Sequence, residues 1–269
     1  MNVTPGDIVQ GLTRLGVRSG VPVLVHSSLR SFGHVEGGAQ AVIEAVVTTV
    51  GLAGTVVVPA LTGRATDGPE SPPHFDCQQS PCWTGIIPET LRKLPGALRS
   101  VHPTHSVAAV GRLAEWLGRD HFYAATPCGV GTPYARIAAE GGQVIMFGCD
   151  FNSCTMVHGL EETAGVPYHM QSVETLVEAI NGAECLSRPM RLHNWDHRIE
   201  KDFNRLHALL EPLGAVRTGR IGQAATIVVD AERLWALGVS HLIAHPWFFV
   251  THDRRPSVQS EREEGRLAD

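Results

Sequence analysis

The sequence lacks any long apolar run. Its most apolar stretches, at 55–61 and 143–148, fall far short of the roughly 20 residues a membrane-spanning helix needs. Residues 1–7 carry no basic patch leading into an apolar segment, so no signal peptide and a cytoplasmic location are expected. Cysteine is sparse: six in 269 residues, with no Cys-x-x-Cys pair. That is well below the roughly 8–10% of a disulfide scaffold, and reduced thiols are expected. Positive charge is not in excess either. The 22 Lys+Arg stand against 27 Asp+Glu, a net charge of −5, which argues against nucleic acid as the main partner. Gly-x-Gly-x-x-Gly, a P-loop ending in Lys-Ser/Thr, and Gly-x-Ser-x-Gly are all missing. Their absence disfavours a dinucleotide dehydrogenase, a P-loop nucleotidase and a serine hydrolase of the α/β type.

What is present suits a globular chain: 43% hydrophobic and 18% charged residues, long enough for a sizeable core. Thr4, Pro5 and Asp7 read as an N-cap, first position and third position of a helix whose Ile8, Leu12 and Leu15 share a face. Continuous apolar runs at 21–25, 55–60, 107–110 and 143–148 read as strands buried on both faces. Between the first two, a helix with apolar residues at Ala39, Val42, Ile43, Val46, Val47 and Val50 completes a strand–helix–strand unit. Helices are expected over about 86–94, 133–140, 199–210 and 231–237. Residues 62–82 form a long polar, Pro-rich loop. Asn181-Gly182 marks a hairpin. The expected fold is therefore α/β, three-layer-like, with a mostly parallel central sheet and an added antiparallel hairpin. It forms one domain over 1–251, with the hairpin inserted at about 170–192 and a polar, flexible tail at 252–269.

Three patterns could carry chemistry. The loop after the first strand holds Ser27, Ser28, Arg30 and Ser31, then Gly33, Gly37 and Gly38. It offers hydroxyl and backbone donors to an anion, or is an ordinary serine-rich turn. His158 and Glu161 stand three apart, so on a helix the carboxylate would orient the imidazole as a general base; a surface pair would look the same. His102 and His105 could meet a metal together with His158 and Cys128, although no zinc spacing is present. Cys82 and Cys128 are either thiolate nucleophiles or small buried residues.

Four blocks, in order, carry a resemblance: VHSSLRSFG at 25–33, GLAGTVVVP at 51–59, RSVHPTHSVAAVG at 99–111 and TMVHGLEE at 155–162, with IGQA at 221–224 as a fifth. Together they resemble the aminoglycoside 3-N-acetyltransferase family. The resemblance implies acetyl transfer from acetyl-coenzyme A to an amine, on a fold distinct from the commoner N-acetyltransferase superfold. It implies that Ser27, Ser28, Leu29, Arg30, Ser31 and Gly33 lie along coenzyme A, with Arg99, Ser100, His105 and Ser106 close to the same cofactor. His158 matches the general base, supported by Glu161 or Glu162. No metal is expected. A cationic amino sugar as acceptor would be drawn to carboxylates, of which Asp67, Glu70, Asp76 and Glu89 are available. A homodimer stays open. Two departures stand out: Thr132-Pro133 replaces a usual Ser-Pro, and Gly159 follows the histidine where Leu is usual. The rival readings are a metal-dependent hydrolase built on the His/Cys set, and a coenzyme A-binding homologue with a different acceptor.

Overall fold

Thr4 opens the helix Pro5–Arg14 with a reciprocal cap: its hydroxyl accepts from the Asp7 amide, and the Asp7 carboxylate accepts from the Thr4 amide at 2.9 Å. Ile8 and Leu12 on its inner face are fully buried. The computed structural model describes residues 2–254. Among them no helix is long and apolar enough to cross a membrane.

Seven strands form the main sheet, in the order Val216–Ile221, Ala224–Asp230, Gln143–Phe147, Pro22–Ser27, Thr55–Pro59, Val107–Gly111, Leu98–Arg99. Pro22–Ser27 runs parallel to both neighbours. The other four pairings are antiparallel. The sheet is thus mixed, not mostly parallel as the apolar runs suggest. The reason is that a central antiparallel strand covered on both faces needs the same continuous apolar run as a parallel one: Val107–Ala109 are as buried as Val23–Val25. Alternate residues serve two cores. Val23 and Val25 pack with Ile8, Val42 and Leu91, whereas Leu24 packs with Tyr134, Leu160 and Leu234.

The hairpin forms from Met170–Asn181 and Glu184–His193. It recruits a third strand, His74–Asp76, from the polar loop, over a small core containing Phe75, Phe122, Val177 and Met190. The helix expected at 199–210 is corrected to Arg205–Leu210. Ile199–Lys201 is instead a strand, antiparallel to Val250–Asp253. Polar contacts of the intervening residues explain it: the Phe203 amide donates to Asn152 Oδ1 at 2.8 Å, and the Asn204 amide group donates to Asp150 at 2.9 Å. The first bond takes the Phe203 amide out of any helical ladder, and the helix starts only after Asn204, its N-cap, whose backbone is already in the right-handed helical region. His252 and Asp253 lie in that strand, inside the expected tail; the rest of the tail from 255 falls outside the described residues.

At the end of Gln143–Phe147, Gly148 sits at φ 62, and a Cβ there would fall 1.8 Å from Ser31 Oγ. Replacing Gly148 by Ala is expected to cost about 3 kcal/mol, read from denaturant midpoints, since both backbone and packing oppose it. A cost below about 1 kcal/mol would show that the serine loop moves aside freely.

Candidate functional site

The site lies beyond the carboxyl ends of the two parallel neighbours Pro22–Ser27 and Gln143–Phe147, where open α/β sheets place their ligand crevices. From Ser27 the chain turns through one 3-10 turn, Leu29–Phe32. The Ser28 amide donates to the Phe147 carbonyl at 2.8 Å, and Ser31 Oγ donates to the Ser28 carbonyl at 2.6 Å. Arg30 and Gly33 are exposed. Ser27 Oγ and His26 Nε2 are buried without a protein partner. Native structures rarely leave such atoms unsatisfied, so the place suits an ordered water or a polar group of a ligand.

The polar groups of the block at 99–106 are engaged largely by the protein itself. Arg99 donates to Ser106 Oγ and to the carbonyls of Cys77, Ser80 and Ala60, and its guanidinium lies 4.8 Å over the Phe75 ring. It ties the long loop to the sheet edge, with those donors spent on protein. Ser100 Oγ is 2.9 Å from His121 Nδ1 and accepts from the Val107 amide. Ser106 Oγ donates to the Ala60 carbonyl. Ser100 and Ser106 are buried structural hydroxyls. His105 turns instead toward the histidines described next.

Helix Met156–Ala164 carries His158, Glu161 and Glu162. Gly159 is required by packing: a Cβ would meet the Cys128 carbonyl at 2.5 Å and the Trp235 ring at 2.6 Å. Helical spacing puts His158 and Glu161 on one face, and His158 Nδ1 lies 3.1 Å from Glu161 Oε2. Glu161 is fully buried, with Lys201 Nζ 3.4 Å from its Oε1. His169 Nδ1 is also 3.1 Å from Glu161 Oε2, but is not aligned for a hydrogen bond. Glu162 points elsewhere. It accepts from the Cys128 amide at 2.8 Å and pairs with His193 Nε2; burial pushes its carboxyl up to about 7. Of the two carboxylates, Glu161 is therefore the partner of His158.

Four imidazoles crowd this point. Ring centroids are 5.1 Å apart for His158–His169 and His158–His193, and 4.2 Å for His169–His193 and His105–His193. His169 and His193 have no role in the sequence reading. They sit at the two open ends of the hairpin, where a register shift between Arg191 and His193 sets His193 opposite Met170, beside His169. Lys201 was obscured by the helix expected around it. Burial holds His105, His169 and His193 well below the ordinary imidazole range, and pushes His26 down to about 3 and His121 to about 4.

The histidines and cysteines regroup. His105, Cys128 and His193 have ligand atoms within 4.8 Å of one another, as do His158, His169 and His193. His102 joins neither set. Its Nδ1 accepts from the Thr104 and His105 amides, and its ring stacks on His121 at 4.6 Å. Burial raises the Cys128 thiol far above its usual range and raises Cys82 too, which disfavours the thiolate form of both.

Three of the four acceptor-side carboxylates are spent on the fold. Asp67 is buried and accepts from the Arg64 amide. Asp76 accepts from the Gln78 and Gln79 amides. Glu89 binds Arg92, Lys93 and the Cys82 amide. Glu70 alone of the four is exposed.

The family model described as Aminoglycoside 3-N-acetyltransferase matches residues 24–243. Aminoglycoside N(3)-acetyltransferase VIII of Streptomyces fradiae is 36% identical over 186 residues, and the match spans 61% of this chain and 63% of that one. An aminoglycoside N(3)-acetyltransferase III of Salmonella sp is 37% identical over 264 residues, covering 90% and 92%. Among solved structures, AAC-IIIb in its binary complex with CoASH superposes with a TM-score of 0.78 at 27% identity, covering 96% of this chain and all of that one. The chain belongs to the aminoglycoside 3-N-acetyltransferase family.

Proposed function

We propose that this chain transfers an acetyl group from acetyl-coenzyme A to an amine of an aminoglycoside or related amino compound, with His158 as general base. One observation carries the assignment. The His158 side chain is 15% exposed, whereas those of His169 and His193 are 2% and 1% exposed. Of these three, His158 is the one a substrate reaches. Its Nδ1 is engaged by a buried carboxylate, which leaves Nε2 to accept a proton.

Acetyl-coenzyme A, when bound, supplies the acetyl thioester. The orphaned Ser27 hydroxyl and the exposed Arg30 support the placement of the cofactor along residues 27–33. His158 Nε2 takes the proton that the attacking amine must lose. Glu161 holds the ring and offsets the imidazolium charge, and Lys201 compensates Glu161 when the ring is neutral. His158 then returns the proton to the departing sulfur. No covalent enzyme intermediate is needed, consistent with the neutral Cys128 thiol.

We read residues 1–251 as one domain, with the mixed sheet between two helical layers and the hairpin as an insertion. Because only Glu70 stays exposed among the expected acceptor carboxylates, the acceptor is kept as the wider class of amino compounds. A thiol-release screen across aminoglycosides and other amino sugars, followed by product mass, tests the function. Acetylation of no cationic amine in the panel, by a chain that binds coenzyme A, would favour the non-aminoglycoside homologue. Ser27→Leu should weaken coenzyme A binding about tenfold or more by calorimetry, because its hydroxyl position would be filled by apolar bulk; an unchanged Kd removes the cofactor from this loop.

A further inference from the structure

His158, His169 and His193 each bring one ring nitrogen to within 4.8 Å of the others'. Buried carboxylates stand beside all three rings: Glu161 lies 3.1 Å from Nδ1 of both His158 and His169, and Glu162 lies beside Nε2 of His193 and 3.9 Å from Nε2 of His169. For His158 and His193, each hydrogen-bonded to its carboxylate through one nitrogen, this is the arrangement in which the other nitrogen is turned toward a metal. His193 Nδ1 and both nitrogens of His169 are buried without a hydrogen-bond partner. Such atoms call for an occupant. Three imidazoles form the set that holds zinc with an open fourth position. Zinc–nitrogen bonds of about 2.0–2.1 Å put tetrahedral ligand atoms about 3.3 Å apart, so nitrogens now within 4.8 Å of one another close in by up to about 1.5 Å on binding.

We propose that His158, His169 and His193 form an inhibitory site for a divalent transition-metal ion of the zinc class. The ion serves no step of the transfer. It occupies the His158 nitrogen that the reaction needs, so it competes with proton abstraction. Inhibition rests on the reading of His158 as general base; binding does not. The alternative set, His105, Cys128 and His193, is disfavoured because a thiol must lose its proton to ligate, and Cys128 sits buried with Glu162 at its amide. The two nearby carboxylates favour a cation in the three-histidine set, and Lys201, already 3.4 Å from Glu161, opposes it only in part.

The test uses the full chain with His241→Asn and His245→Asn. Those two rings, 4.7 Å apart at the end of helix Ala231–Ala244, offer a separate surface metal site. Cobalt(II) is titrated into the metal-stripped protein and followed by visible absorbance, with zinc as competitor. The expected result is one four-coordinate cobalt per chain, displaced by zinc. His169→Gln and His193→Gln should each weaken binding about tenfold or more, and Cys128→Ser should leave it unchanged. If the buried variants misfold by circular dichroism, His158→Ala, at a partly exposed position, gives the same test. No cobalt binding in this background, binding indifferent to His158→Ala, or loss in Cys128→Ser alone overturns the site. Saturating zinc should suppress acetyl transfer about tenfold or more, reversed by a chelator. Undiminished transfer by the zinc-loaded chain overturns the inhibition. A metal-free chain that acetylates nothing refutes the catalytic reading instead, and the cobalt titration still decides the site.

Discussion

Replacing His158 by Ala should lower kcat by about 10²–10⁴-fold, the range for a lost acid–base group, with little change in coenzyme A affinity. The ring touches Glu161 and its neighbouring histidines, not the 27–33 loop's own hydrogen bonds. Binding and chemistry should therefore separate. Turnover should fall at saturating substrate, whereas calorimetric titration of coenzyme A should give a Kd within about twofold of the parent. Equal turnover in the variant would sink the assignment. Glu161→Gln should also slow turnover, and should destabilise the fold, because Lys201 would face a neutral amide in a buried setting. The conservative Glu161→Asp should recover stability more than rate, since the shorter side chain keeps the charge but not the 3.1 Å contact to His158.

The protein should also lose stability steeply in mild acid. His26 is held down to about 3 and His121 to about 4, and His102, His105, His169 and His193 all lie well below the usual range, with burial the largest cause in each. In the unfolded chain each protonates near 6.5. Below that pH the unfolded state takes up protons that the folded state refuses, so stability falls as pH falls, by about 1.4 kcal/mol per group per pH unit. By pH 5, His26 and His121 alone account for about 2 kcal/mol each. Glu162 acts in the opposite sense. Its carboxyl, pushed up to about 7, takes up a proton in the folded state before the unfolded one does, adding stability as pH falls from 7 toward 4.5. One carboxyl does not balance six imidazoles. Against a typical total of about 5–15 kcal/mol, the denaturant midpoint should drop sharply between pH 6.5 and pH 5. A flat profile over that interval would show that these rings are reached by water.

Much of the helical framework is legible locally. Thr4-Pro5 with Asp7, the apolar spacing from Ala39 to Val50, and Asn181-Gly182 each contain their own instructions, because caps, helical faces and tight turns depend on residues a few positions apart. The pair His158 and Glu161 is legible for the same reason. Strand direction is not. A fully buried run reads the same whichever way its neighbour points, so Val107–Gly111 and Ala224–Asp230 carry no local mark of being antiparallel. Ile199–Lys201 went unread because its partner, Val250–Asp253, lies some fifty residues away.

The sequence by itself determined the acidic, cysteine-poor, globular character of the chain, the serine loop at 27–33, and a histidine three residues before a glutamate on a helix. Only the tertiary structure decided what those groups meet. It brought His169 and His193 from opposite ends of the hairpin, and Lys201 from a strand beyond it, onto the two glutamates. It also spent Arg99, Asp67, Asp76 and Glu89 on holding the long loop. The physical reason is that charge and hydrogen-bonding capacity are local properties of a side chain, whereas burial and partners are set by packing between segments far apart in sequence. A carboxylate such as Glu89 reads the same in sequence whether it faces a cationic substrate or is consumed by its neighbours.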